Sequence, residues 1–188
     1  MRYLKKAIII ISLIWTVLSL GFLGFVALSD SSSCATSDDE KVAELSGELP
    51  EFEFELMDEN ATVTNESIKG SYTLLYFWST SCSLCVREMP YLHDTYEEFQ
   101  DQNFEIIAIS YNKSEETVRD FRDQKYPMPW KHSVAGDDRK EMKKTFKSFG
   151  FRGSPHKVLV SPEGKVLETI SGFSGEELNE KIRAHISS

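Results

Sequence analysis

Two cysteines three residues apart, Cys82 and Cys85, stand where an apolar run gives way to a helical pattern, and that junction constrains the fold more than any other feature. Residues 72–78 (Tyr-Thr-Leu-Leu-Tyr-Phe-Trp) have the length and the aromatic content of a buried strand. Past the pair, Cys85, Met89, Leu92, Tyr96 and Phe99 recur at spacings of four, three, four and three, which is the period of one helix face. A strand that feeds a helix through a short turn puts Cys85 against the sheet and leaves Cys82 at the helix's first turn, outside the stripe. Cα atoms at that helical spacing lie roughly 5 Å apart, within the range a disulfide tolerates.

The two sulfurs therefore have different chemistry. Unpaired N–H groups and the positive end of the helix dipole stabilise a thiolate at the first turn, and thiolate is the attacking species. Cys82 is thus the expected nucleophile and Cys85 the expected resolving thiol. Half of a zinc site or a structural disulfide are the alternatives for such a pair. Tetrahedral zinc would need a second Cys pair or a His at ligand spacing, and His93, His132, His156 and His185 are scattered singly, so no metal is expected.

At 188 residues the chain has room for one ordinary domain and an appendage. Residues 7–28 are apolar apart from Ser12, Thr16 and Ser19, and as a helix they would reach about 33 Å, enough for a bilayer core of about 30 Å. Arg2, Lys5 and Lys6 precede them and acids follow, so the positive-inside rule puts everything after Leu28 outside the cytoplasm. The sequence thus reads as a membrane anchor over residues 1–29, a flexible linker over 30–49 and a folded domain over 50–188. A cleaved signal peptide is the rival reading of the first segment, with Ala27 and Ser29 at the cleavage positions, although its apolar core would normally be only about 7 to 15 residues. Lipidation of Cys34 is a third reading, which Ser31 disfavours because such signals want a large aliphatic residue three before the cysteine.

Formal net charge is −9, but it is unevenly spread. Residues 1–29 carry +3 and residues 30–55, with nine acids and one base, carry −8, which leaves −4 for residues 56–188. The acidity belongs to a solvated linker and first strand. Nucleic-acid binders concentrate Lys and Arg, so that class of partner is excluded.

Alternation in residues 52–56, a turn at Asp58-Glu59-Asn60 and return over residues 62–64 predict a hairpin ahead of the main sheet. Residues 104–110 read as a second buried strand, closing a βαβ unit. Ser114 starts a helix with Val118 and Phe121 on one face, residues 130–134 are a short strand, and Met142, Phe146 and Phe149 mark a helix that stops at Gly150. Residues 156–161 and 165–171 read as strands around Ser161-Pro162-Glu163-Gly164, and Ser174 with Glu177 reads as a capping box for a last helix carrying Leu178, Ile182 and Ile186. The alternation makes an α/β domain.

Phe77-Trp78 ahead of the dithiol, Cys82 to Cys85, Pro90 within the helix and Gly153-Ser154-Pro155 before the penultimate strand resemble the thioredoxin-like fold, and within it the membrane-anchored TlpA/ResA-type thiol-disulfide oxidoreductases. The resemblance runs from about Pro50 to the C-terminus. It implies a three-layer α/β fold with an N-terminal β-hairpin, preceded by a single transmembrane helix. It also implies that Pro155 is a cis-proline beside the dithiol and that Ser154 offers its backbone to an extended substrate segment, a form of β-augmentation. Trp78, Ser154 and Pro155 are on this basis the substrate-binding residues. Glu88, one turn past Cys85, matches an acidic residue that assists proton movement at the buried thiol, and a carboxyl there would have its proton affinity raised by desolvation.

Three positions depart from the family pattern: Ser81 replaces a tryptophan before the first cysteine, Leu84 a proline before the second, and Tyr76 the strand aspartate of thioredoxin itself. Potentials of related dithiols run from about −270 to about −120 mV, so the residues leave the direction of electron flow open and only the resemblance favours reduction.

The reading that emerges is an extracytoplasmic, single-pass enzyme of the cytoplasmic membrane that reduces protein disulfides without a cofactor. The resemblance adds a membrane thiol-transferring electron donor as partner and cytochrome c maturation as one destination. A thiol peroxidase of the peroxiredoxin type is an alternative, although its reactive cysteine sits in a Thr-x-x-Cys setting and position 82 is cysteine. A copper-delivering relative would want Cys-x-x-x-Cys. A tethered thioredoxin-like module that binds peptides without turnover is the non-enzymatic alternative.

Overall fold

The computed structural model describes residues 47–136 and 138–186. The apolar segment at residues 7–28, read as a membrane anchor, lies outside them, and among the described residues no helix is long and apolar enough to cross a membrane.

The elements follow the hydrophobic pattern closely. The strands are β1 (Gly47–Glu48), β2 (Glu53–Glu55), β3 (Thr62–Thr64), β4 (Tyr72–Trp78), β5 (Phe104–Ser110), β6 (Lys131–Val134), β7 (His156–Val160) and β8 (Lys165–Ser171). The helices are α1 (Ser83–Phe99), α2 (Glu115–Gln124), α3 (Arg139–Ser148) and α4 (Glu177–Ile186). Six strands form one sheet in the order β1-β8-β7-β4-β5-β6, with β4, β5 and β6 parallel and β7, β8 and β1 antiparallel to their neighbours. β2 and β3 pair as the expected hairpin, Phe54 opposite Val63.

Period-2 alternation along β4 decides the layers. Leu74, Tyr76 and Trp78 face a core made with Met89, Leu92 and Phe99 of α1, Val118 and Phe121 of α2, and Leu178 and Ile182 of α4. Leu75 and Phe77 face the opposite core, closed by Phe146 of α3, by Phe149 and by Phe54 and Val63 of the hairpin. Helices thus cover both faces, the three-layer arrangement that the resemblance implies.

Three details differ from expectation. β1 lies in the stretch read as linker, yet it pairs with β8, and Leu49 is buried, so the fold is already under way at Gly47 rather than at Pro50. Two residues carry no periodicity that a reader of the sequence could use. Cys82 is the N-cap of α1 rather than a member of its first turn. Finally, Ser174 does not close a capping box: its carbonyl accepts the Glu177 N–H at 3.2 Å, while its hydroxyl is turned inward to Glu88. Gly150 ends α3 as expected, its φ of 71° being a left-handed value that glycine adopts without a Cβ clash.

Candidate active site

Strand β4 is buried along nearly its whole length, and its end delivers the chain to a tight turn before α1. Asn112, just past β5, holds that turn. Its side-chain oxygen accepts the Thr80 N–H at 3.0 Å, its amide donates to Thr80 Oγ1 at 2.8 Å, and Ser110 Oγ donates to the same oxygen at 2.7 Å. Helix α1 then begins in a fixed place.

Cys82 and Cys85 are joined in a disulfide with Cα atoms 5.2 Å apart, the separation that helical spacing predicts. Cys82 is partly exposed, and its Sγ accepts the Cys85 N–H at 3.1 Å. No acidic residue occupies the first turn of α1, so nothing there opposes the positive helix end. Cys85 is wholly buried. The two sulfurs thus differ in exposure, with Cys82 at the helix N-cap and Cys85 inside the core.

Beneath Cys85 lies a set of buried polar groups. Glu88 and Lys157 are both 0% exposed and form an ion pair at 2.6 Å. Glu88 Oε1 also accepts the Ser174 N–H and the Ser174 hydroxyl, each at 2.8 Å. Lys157 Nζ donates further to Gly172 O at 2.9 Å and Ser174 Oγ at 3.0 Å. Burial pulls the Lys157 ammonium below its ordinary pKa, and the Glu88 charge opposes that pull. Tyr76, opposite Lys157 in the β4–β7 register, donates to Cys85 O at 3.4 Å. Desolvation first, then the negative charge of Glu88 and the neighbouring Tyr111, hold the Tyr76 phenol well above its usual pKa, so it remains a donor. Instead of the solitary desolvated carboxyl foreseen for Glu88, the site contains a carboxylate clamped by an ammonium.

The residues expected to bind substrate divide. The Ser154–Pro155 bond is cis, as the resemblance implies, and Gly172 N donates to Pro155 O at 2.8 Å. Ser154 is half-buried, its hydroxyl bonded to Tyr111. Trp78 belongs elsewhere. It is fully buried, stacks on Tyr76 at 6.5 Å and packs on Phe121 at 5.4 Å, so its ring is core and does not reach a substrate.

Sequence reasoning missed Lys157, Tyr111, Asn112 and Phe173. For Lys157 the available signal was a charged residue inside an apolar strand run with central neighbours. The large apolar side chains exposed among the described residues are Leu84, between the cysteines, and Phe173, each 39% exposed. Phe173 packs edge-on against Tyr91, with Arg87 over its ring, so Leu84, Arg87 and Tyr91 on one face of α1 continue into Phe173 as an apolar apron beginning at the dithiol.

Residues 46–169 match the model of the AhpC/TSA family. The chain belongs to that family. It is 30% identical over 141 residues to the thiol-disulfide oxidoreductase ResA of Oceanobacillus iheyensis, covering 72% of this chain and 69% of the relative. With ResA of Bacillus cereus the identity is 31% over 150 residues, 80% of either chain. Among solved structures, a thiol:disulfide interchange protein from a Bacteroides species superposes with a TM-score of 0.65 at 26% identity, covering 78% of this chain and 93% of that one. The thioredoxin domain of a Bacteroides vulgatus thiol-disulfide oxidoreductase gives 0.62 at 28%, over 73% and 94%. The thioredoxin-like fold, the dithiol and these relatives identify the chain as a thiol-disulfide oxidoreductase.

Proposed function

We propose that the enzyme acts outside the cytoplasm, tethered to the membrane by residues 7–28, and transfers electrons from its dithiol to disulfides in proteins. The observation that carries this reading is the contrast between a partly exposed sulfur at a helix N-cap and a fully buried partner three residues on. Cys82 thiolate attacks one sulfur of the substrate disulfide, forming a mixed disulfide and expelling the other sulfur as thiolate. Cys85 thiolate then attacks Cys82 Sγ, the substrate's second sulfur leaves, and the Cys82–Cys85 bond stores the two electrons' worth of oxidation. No cofactor enters.

Glu88 accepts the Cys85 proton in the second step. Ser154, beside the cis-proline, pairs its backbone with an extended substrate strand, and the apron of Leu84, Tyr91 and Phe173 suits an apolar segment of a polypeptide better than a small thiol. A membrane thiol-transferring protein returns the enzyme to its reduced form. The ResA names of the relatives, with the apolar N-terminal segment, support this location and direction, and cytochrome c maturation is one pathway such a reductase serves. The peroxidase alternative would require peroxide to reach Cys85, which is fully buried.

Insulin reduction by the full chain in detergent tests the proposal. Wild type is expected to precipitate the insulin B chain, Cys82→Ser to do so no faster than dithiothreitol alone, and Cys85→Ala to accumulate a mixed disulfide. Equal rates for wild type and Cys82→Ser would overturn the catalytic assignment. A dithiol potential near the oxidising end, about −120 mV, would reverse the direction.

A further inference from the structure

We infer that Lys157 is a positioning residue for the resolving step: its buried ammonium ties down one oxygen of Glu88 and leaves the other, Oε2, as the acceptor of the Cys85 proton. The inference rests on the reading of the dithiol and of Glu88 given above and extends it to a residue on another strand.

The bonding at the pair is asymmetric. An ammonium has three N–H donors, and those of Lys157 meet Glu88 Oε1, Gly172 O and Ser174 Oγ at 2.6, 2.9 and 3.0 Å. Glu88 Oε1 takes three bonds, from Lys157 Nζ, Ser174 N and Ser174 Oγ. Glu88 Oε2 is buried and has no hydrogen-bond partner among the described residues. A bare carboxylate oxygen in the interior is costly, and such orphans call for an explanation. Here the explanation lies one turn away. Glu88 follows Cys85 by three positions on α1, so the two side chains share a face, and with Oε1 saturated only Oε2 has capacity for a proton.

The surrounding charges are few. Tyr76 from β4 bonds the Cys85 carbonyl and is itself close to Tyr111, while Lys181 of α4 stands beyond Lys157 and pairs with Glu168. Lys157 is the cation that pairs with Glu88. In the resolving step the Cys85 S–H bond breaks and its proton moves to Glu88 Oε2. The sulfur's electron pair forms the bond to Cys82 Sγ, and the substrate sulfur departs with the pair from the broken mixed disulfide. The proton on Glu88 then follows that thiolate out, restoring the carboxylate. Throughout, Lys157 neither gives nor takes a proton; it holds the carboxyl oriented, with Oε1 saturated and Oε2 open. Without the ammonium the carboxyl is no longer held in place, and the resolving step waits for solvent base to take the Cys85 proton, which a higher pH supplies.

The test uses the reduced full chain in a Cys34→Ser background, so that Cys82 and Cys85 are its only thiols, and 5,5′-dithiobis(2-nitrobenzoate), whose first thiolate release reports Cys82 attack and whose second reports Cys85 resolution. In Lys157→Met the ratio of second to first rate is expected to fall at least about tenfold at neutral pH and to recover as pH rises, a profile that a purely structural role would not produce. Glu88→Gln is expected to slow the second phase by a similar or larger factor and to recover over the same high-pH range, where solvent base deprotonates Cys85 directly. The double variant Lys157→Met/Glu88→Gln, which buries no unpaired charge, should match Glu88→Gln, because Lys157 acts through Glu88. A wild-type pH profile in Lys157→Met overturns the inference. So does a double variant several-fold slower than Glu88→Gln, a comparison that stands even where Lys157→Met alone does not fold. An unaltered second phase in Glu88→Gln overturns it together with the role of Glu88. A first phase that survives Cys82→Ser would instead overturn the dithiol reading beneath both.

Discussion

The floor of the dithiol site and the edge of the sheet beneath the hairpin both bring acids and bases together, and they do so in opposite ways. Under Cys85, an ammonium and a carboxylate are paired with neither exposed to solvent. At the other place Asp58, just past β2, joins Arg119 and Arg122 of α2, with the Asp58 side chain 40% exposed. The buried group there, His132, is neutral: desolvation first, then the Arg122 charge, lower its pKa to about 4. Taking charge out of water costs several kcal/mol per ion even after relaxation. The fold leaves its charges at the surface, or its buried group neutral, where the task is to seat a hairpin. It buries a charged pair beneath the dithiol, where the proposed resolving step takes a proton from Cys85.

If that contrast is right, the two sites should respond very differently to the loss of one partner. Lys157→Met leaves a carboxyl buried without its cation and is expected to destabilise the protein by about 3 to 5 kcal/mol, read as a shift in the urea midpoint at unchanged m-value. The double variant Lys157→Met/Glu88→Gln removes both charges and should recover most of the loss. A single substitution costing under about 1 kcal/mol would mean that water reaches the pair, and the contrast would fail.

The sharper test of the neutral group is pH. His132 has a folded pKa of about 4 against an ordinary 6.5, so the unfolded chain binds more protons between those values and stability rises with pH there. The contribution is complete above about pH 6.5 and is lost as pH falls toward 4. At pH 5 the expected loss from this group is about 2 kcal/mol relative to pH 7. His156, lowered by burial and by the Lys157 charge against its bond to Phe149 O, acts in the same direction. Urea melts of wild type and His132→Gln at both pH values separate the two, and equal pH slopes would show that His132 is already protonated in the fold.

The same difference explains what could be read from the sequence. β4 and β5 were legible to the residue because they are near-continuous runs of aromatic and branched side chains buried on both faces, and the α1 stripe because its spacing of four and three repeats. Glu88 was reachable through resemblance. Its partner was not, since Lys157 is 69 residues away and a lysine inside an apolar run gives no sign of what it meets. Ser174 carried a strong local signal, serine three before glutamate, and tertiary bonding to Glu88 displaced it. Trp78 shows the converse: its alternation with Leu74 and Tyr76 along the strand places it in the core, and its reading as a substrate-binding residue rested on the resemblance alone.

The smallest effect belongs to the surface cluster. Burial works against the Asp58 charge, but bonds and charge from Arg122 and then Arg119 outweigh it and hold the carboxyl below its ordinary pKa. Its contribution is therefore present above about pH 4 and lost as pH falls through the lowered value. Arg119 also donates to Met57 O, so the cluster fastens the chain after β2 to α2 by a backbone contact that needs no acid. Exposed pairs are typically worth about 1 kcal/mol or less and are screened by salt. Asp58→Asn should accordingly move the urea midpoint by no more than that at low ionic strength, and by less in 1 M salt, about a 3 Å Debye length. A loss from Asp58→Asn as large as that from Lys157→Met would show that exposure does not separate the two sites, and burial of the Glu88–Lys157 pair would lose its meaning as a mark of the reaction.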